Sequence, residues 1–205
     1  VIQVACSSDE YGLIKENELP VKETNPLRPM SPYAVSKVAV DMLAFQYYQS
    51  YQMKTVITRT FNHTGPRASA QTVSPRFAQQ IALIEVNKQE PIIKVGNLEA
   101  FRDFSDVRDI VKAYYVSVEK CEYGTPYNIG SGVAYQIKEI LDILLSFSSV
   151  EMRIEQDMAL MRPEKVAKIV CDFSKFQSAT GWKPTISLKE TLKALLDYYR
   201  NETTN

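Results

Sequence analysis

Apolar and polar residues alternate along this chain with a spacing that switches between that of a strand and that of a helix. Val1-Ile2-Gln3-Val4-Ala5-Cys6 is a short apolar run ending in Ser7-Ser8-Asp9-Glu10. That pattern predicts a buried parallel strand opening into a polar loop at its carboxyl end. After a loop rich in Pro, Asn and Glu, Ser31-Pro32 supplies a helix N-cap with proline at the first helical position, predicting a helix over Ser31 to Tyr51. Thr55 to Phe61 carries alternating β-branched residues and predicts the next strand; Ser74 to Asn87 has the apolar spacing of an amphipathic helix. Strand and helix in this order predict a parallel sheet with crossover helices, whose ligands favour the carboxyl ends of the strands.

Past Lys88 the predicted elements are shorter: strands at Ile92 to Val95 and Tyr127 to Ile129, helices at Val107 to Lys120, Ile137 to Phe147, Ser174 to Thr180 and Leu188 to Arg200. The expected class is α/β, with a sheet domain over residues 1–90 and a smaller lobe over 91–205, the two interleaved along the sequence.

Composition narrows the function classes. With 24 basic and 24 acidic residues among 205 and no long run of either sign, no electrostatic footprint for nucleic acid or an anionic membrane is present. No stretch reaches the roughly 20 apolar residues that span a bilayer. Cys6, Cys121 and Cys171 lie far apart, forming neither a disulfide framework nor a metal-ligand cluster, which points to a reducing cytoplasm. Val1 to Cys6 lacks the charged start and cleavage site of a signal peptide and reads as a strand already begun. The seven glycines never form the Gly-x-Gly-x-x-Gly turn that opens a dinucleotide-binding sheet, so the phosphate-cradling unit is expected to be missing from this stretch.

Tyr33 and Lys37 lie four apart on the predicted helix and therefore project from one face. A phenol titrates near pH ~10; a neighbouring ammonium favours the phenolate and suits the pair to proton transfer. Spacing alone carries little weight, because Tyr11 and Lys15 repeat it beside a turn at Gly12. Context adds the rest: Ser7-Ser8 stand at the end of the first strand, where a hydroxyl could share a substrate oxygen with Tyr33, and Asp9-Glu10 come directly after.

Ser-Ser-Asp-Glu-Tyr-Gly at 7–12 followed by Ser-Pro-Tyr-Ala-Val-Ser-Lys at 31–37 resembles the extended short-chain dehydrogenases/reductases, whose catalytic set is Ser/Thr, Tyr and Lys. The segments Phe61 to Pro66, Val95 to Phe104, Tyr127 to Gly132 and Met161 to Pro163 are similar to the GDP-mannose branch of that family. The resemblance implies the C-terminal part of a Rossmann-like parallel sheet with crossover helices plus a smaller α/β substrate-binding lobe, NADP or NAD as cofactor, a GDP-linked sugar as substrate, and a homodimer. It implies Tyr33 as proton donor, Lys37 as cofactor ligand and Ser8 on the substrate keto oxygen. Asn62 then falls on the sugar, His63 on the cofactor, and Arg102 and Arg162 on the diphosphate, where guanidinium offers bidentate donors. Related sequences carry an acidic residue three positions after the second arginine, where Lys165 stands here, with Glu164 one place early.

Two activities in this branch share the Tyr and Lys. One is reduction of GDP-4-dehydro-6-deoxy-D-mannose to GDP-D-rhamnose, which the shortened Ser-Ser-Asp-Glu-Tyr-Gly segment and Asn-His-Thr-Gly-Pro resemble more closely. The other is 4,6-dehydration of GDP-mannose, for which Glu10 could supply the carboxylate. An inactive fragment or a non-enzymatic nucleotide-binding protein on the same fold is the remaining alternative.

Overall fold

The elements form where the spacing predicts, with several short strands between them. A computed structural model describes residues 1–161 and 168–204. Its strands are β1 (Ile2–Ser7), β2 (Thr55–Thr60), β3 (Asn62–Thr64), β4 (Ile92–Val95), β5 (Phe101–Asp106), β6 (Pro126–Ile129), β7 (Ala134–Gln136) and β8 (Arg153–Gln156). Its helices are α1 (Pro32–Tyr51), α2 (Val73–Glu85), α3 (Val107–Lys120), α4 (Ile137–Leu145), α5 (Ser174–Thr180) and α6 (Leu188–Thr204).

The chain divides into two units, one of residues 1–63, 102–134 and 168–185, the other of 64–101, 135–167 and 186–205. It passes repeatedly between them.

The first unit is built on a parallel sheet in the order β1-β2-β6. Ile2 pairs with Thr55 and Ser7 with Thr60, so β1 and β2 end level at their carboxyl edge. β2 is buried along its whole length, and its successive side chains face opposite ways. Ile57 packs with Cys6 and with Ala44 of α1; Val56 packs with Ile110 and Ala113 of α3 and with Phe176 of α5. The sheet is therefore covered by α1 on one face and by α3 and α5 on the other, which explains why β2 tolerates so few exposed positions.

Ser31 caps α1, its hydroxyl accepting from Ala34 N at 3.1 Å, and Pro32 takes the first helical position. The second unit has its own core, in which α2 and α4 pack on α6 through buried Phe77, Ile81, Leu141, Leu144, Leu192 and Leu196; β4 and β8 pair in parallel. Among the described residues no helix is long and apolar enough to cross a membrane.

β5 was not legible from hydropathy. Its sequence Phe-Arg-Asp-Phe-Ser-Asp is polar, yet residues 103–106 are buried. Asp103 explains part of this, since its carboxylate accepts four hydrogen bonds: from Ser131 N (2.7 Å), Ser131 Oγ (2.6 Å), Gly132 N (2.9 Å) and Cys171 N (3.0 Å). A buried polar group is stable when so satisfied, and those donors lie far away in sequence.

Candidate active site

At the carboxyl end of β1 the chain turns sharply into a 3-10 turn, Ser8–Tyr11. Ser7 closes this turn at both its polar atoms: its Oγ accepts from Asp9 N at 3.2 Å, and its N–H donates to Glu10 Oε1 at 2.9 Å. This capping box fixes the Ser7–Ser8 peptide at the sheet edge.

The Tyr33–Lys37 pair stands on the first turns of α1, directly beside that edge. Lys37 Nζ donates to Ala5 O of β1 at 2.9 Å and lies 5.7 Å from the Tyr33 ring centroid. Tyr33 is 53% exposed, so its ring is open to a ligand while the lysine beside it is tethered to the sheet. The second Tyr–Lys spacing behaves differently. Tyr11 is fully buried, its hydroxyl donates to Asn128 Oδ1 at 2.6 Å, and burial pushes the phenol above its ordinary range. It is a core residue.

Glu10 does not join the exposed set. Its side chain turns inward, fully buried, toward Cys6, Asp41 and Arg59. Desolvation raises its carboxyl to about 7. A carboxylate with no exposed surface, held between Ser7 N–H and Arg59, has no path to a substrate carbon, so the expectation of a catalytic Glu10 is corrected by the geometry. Asp9, one residue earlier, is the exposed acid of the turn. The surrounding protein raises its carboxyl, and the charge of Arg102 acts in the opposite direction. The sequence pointed to both pairs, Ser7-Ser8 and Asp9-Glu10, and within them to Ser8 and Glu10; a one-residue shift in a 3-10 turn reverses which side chain points out, and hydropathy carries no sign of it.

Ser8 is buried, and its hydroxyl has no hydrogen-bond partner among the described residues. Asn62 and His63 begin β3, one residue past the end of β2, and are exposed. His63 Nδ1 lies 3.1 Å from Phe61 O; a carbonyl only accepts, so that nitrogen is the donor. Arg102 begins the polar half of β5, next to the clamped Asp103, and its charge reaches Asp9. Tyr114, not singled out by the sequence, shares a 2.8 Å hydrogen bond with Thr60 at the end of β2 and lies close enough to Tyr33 for their charges to interact. Arg162, Glu164 and Lys165 lie outside the described residues.

One edge thus carries a tethered ammonium, an open phenol, two serine hydroxyls, an imidazole and an Asp–Arg pair, a set suited to proton transfer at a carbonyl or alcohol and to holding an anionic ligand. Known proteins are similar to this chain over most of its length. The model of the GDP-mannose 4,6 dehydratase family matches residues 1–195. The GDP-6-deoxy-D-mannose reductase of Pseudomonas aeruginosa is 35% identical over 190 residues, 93% of this chain and 62% of that protein. GDP-mannose 4,6 dehydratase 1 of Arabidopsis thaliana is 28% identical over 195 residues, 94% of this chain and 53% of that one. The solved structure of RMD from Pseudomonas aeruginosa complexed with NADPH superposes with a TM-score of 0.92 at 34% identity, covering 96% of this chain and 65% of the other. The chain therefore spans less than two thirds of each of these relatives.

Proposed function

This chain belongs to the GDP-mannose 4,6 dehydratase family, and from that premise we propose that the protein is a nucleotide-sugar oxidoreductase that reduces the 4-keto group of GDP-4-dehydro-6-deoxy-D-mannose to give GDP-D-rhamnose. The observation that carries the reading is Tyr33, open to ligand, beside a Lys37 tethered to β1. The identity of 35% to a reductase against 28% to a dehydratase favours reduction.

The residues present fit a nicotinamide cofactor, NADPH or NADH. Lys37 spends one N–H on Ala5 O and keeps two donors for ribose hydroxyls. Tyr33 stands beside it, and His63 offers Nε2. When bound, the reduced nicotinamide supplies the hydride for carbon 4. Tyr33 gives its phenolic proton to the oxygen on that carbon as negative charge develops there, and the Lys37 ammonium offsets the charge left on the phenol. A hydroxyl of the Ser7–Ser8 pair donates to the same oxygen and orients it. Ser8 has its hydroxyl uncommitted; Ser7 is already fixed by the capping box and retains a proton to donate. Asn62 meets the sugar hydroxyls, and Arg102 and Arg162 the diphosphate.

The dehydratase reading is favoured by one feature, the exposed carboxyl of Asp9, which could remove a proton from carbon 5. Product analysis separates the two. The protein is expected to consume the 4-keto sugar with NADPH and to leave GDP-mannose with NAD(P) untouched. Conversion of GDP-mannose to the keto sugar would overturn the reductase assignment. Retention of both Tyr33 and Lys37 argues against a non-enzymatic protein.

The assembly and compartment belong to the same reading. α1 buries only Ala34, Asp41 and Ala44 and exposes Val35, Met42, Leu43, Phe45 and Tyr47 by 43–54%. An apolar surface of this extent marks an interface, and a homodimer through α1 accounts for it. Three free, buried cysteines suit a reducing cytoplasm.

A further inference from the structure

Behind the Ser7–Ser8 turn lies a buried ionic cluster that the reaction does not touch. Arg59 of β2 sends Nε to Asp41 Oδ2 of α1 at 2.8 Å and lies 3.5 Å from Glu10 Oε2 of the turn. Its NH1 donates to Tyr11 O–H and to Glu23 O, both at 3.2 Å. Cys6 Sγ of β1 lies 4.0 Å from Lys37 O and within 4.8 Å of a Glu10 carboxylate oxygen. Cys6, Glu10 and Asp41 converge closely enough to hold a metal ion, but the Arg59 guanidinium already fills the cation position.

We propose that Arg59, with Glu10 and Asp41, is a positioning device that keeps the Ser7–Ser8 turn in register with the Tyr33–Lys37 helix, and that one proton on Glu10 sets that register. The inference rests on reading those four residues as the reacting set. The connections are direct. Glu10 Oε1 holds Ser7 N, Asp41 follows Lys37 by one helical turn, and one guanidinium joins both carboxylates. Charge counting supplies the proton. Two carboxylates face a single guanidinium with no surface between them, so one negative charge is in excess, and a buried unpaired charge is costly. Glu10 Oε2 is buried and has no hydrogen-bond partner among the described residues. Its separation from Arg59 is that of a loose ion pair, leaving it as the place for a proton. The groups facing Glu10 are Cys6 from β1, Asp41 from α1 and Arg59 from β2; desolvation and Asp41 both favour protonation, and Arg59 opposes it.

Three variants test this. Glu10→Gln keeps an oxygen for Ser7 N–H and removes the titration. A carboxyl that holds its proton more tightly folded than unfolded lowers stability as pH rises from its unfolded to its folded value. Wild-type unfolding temperature should therefore drop between about pH 5 and 7 by more than that of Glu10→Gln. In the reductase assay, the kcat profile of wild type should show a limb near neutrality that is absent from Glu10→Gln. Arg59→Lys keeps the charge but loses the fork, and should lower kcat by about tenfold to a hundredfold with KM for the nucleotide sugar nearly unchanged; Asp41→Asn should do the same more weakly. A kcat profile of Glu10→Gln that superimposes on wild type overturns the positioning role, and an unchanged pH dependence of stability overturns the proton. If the protein reduces no nucleotide sugar, the functional reading fails by itself and hydrogen exchange decides the register. In Arg59→Lys, amides of 4–12 and 31–41 should then exchange faster together, and independent behaviour of the two segments overturns the proposal.

Discussion

At the scale of single residues, exposure separates side chains that the sequence treats alike. Tyr33 and Tyr11 share the spacing to a lysine, but one is half exposed and the other buried against Asn128. Tyr33→Phe keeps the ring and removes only the transferable proton, so kcat should fall by about a hundredfold to ten-thousandfold, with circular dichroism and unfolding temperature unchanged. Tyr11→Phe should do the reverse: the hydroxyl it loses is bonded to both Asn128 and Arg59, and the expected cost is about 1–3 kcal/mol of stability, read by urea unfolding. The serines and acids of the turn make the same point. Ser-Ser-Asp-Glu was legible as a strand-end loop with chemistry in it. Which acid faces outward was not, because the 3-10 turn that swings Glu10 under α1 and leaves Asp9 outside depends on the capping box with Ser7 and on Arg59, far away in sequence.

Elements were legible in proportion to how much of their stability is local. α1 has its own N-cap and proline, and α3 runs over the residues its apolar spacing predicts. β5 depends on remote partners, and it escaped notice. Asp103 therefore belongs to the element and to its neighbours at once. Asp103→Ala leaves the donors of Ser131, Gly132 and Cys171 unpaired in a buried setting, at an expected cost of about 3 kcal/mol or more; Asp103→Asn, with an amide facing those N–H groups, should recover little of it. In the second unit, Arg200 of α6 grips Glu85 of α2 with two bonds of 2.7 Å. The hydrogen bonds from Arg200 hold Glu85 below the ordinary glutamate range. A depressed carboxyl stabilises the fold above its unfolded pKa, and that contribution disappears as pH falls through the folded one. Glu85→Gln should thus narrow its stability deficit relative to wild type as pH is lowered from about 6 to 3. Calorimetry across that range checks it.

At the scale of the whole molecule, the family was legible because its motifs are local strings, whereas the boundaries of the two units, fixed by contacts between distant segments, were not. The same scale bears on cofactor binding. Lys37, Tyr33 and His63 can grip the nicotinamide end of a dinucleotide, but its pyrophosphate normally rests on a glycine-rich turn at a helix N-terminus, and no such turn occurs in these 205 residues. These residues should therefore bind NADPH weakly by themselves. The longer reductase of Pseudomonas aeruginosa, of which this chain spans 62%, should bind NADPH about a hundredfold or more tighter, the ~3 kcal/mol expected when a few charge-assisted phosphate contacts are added. Fluorescence titration of the two polypeptides measures the difference directly, and equal affinities would mean that the phosphates are held by residues of this chain.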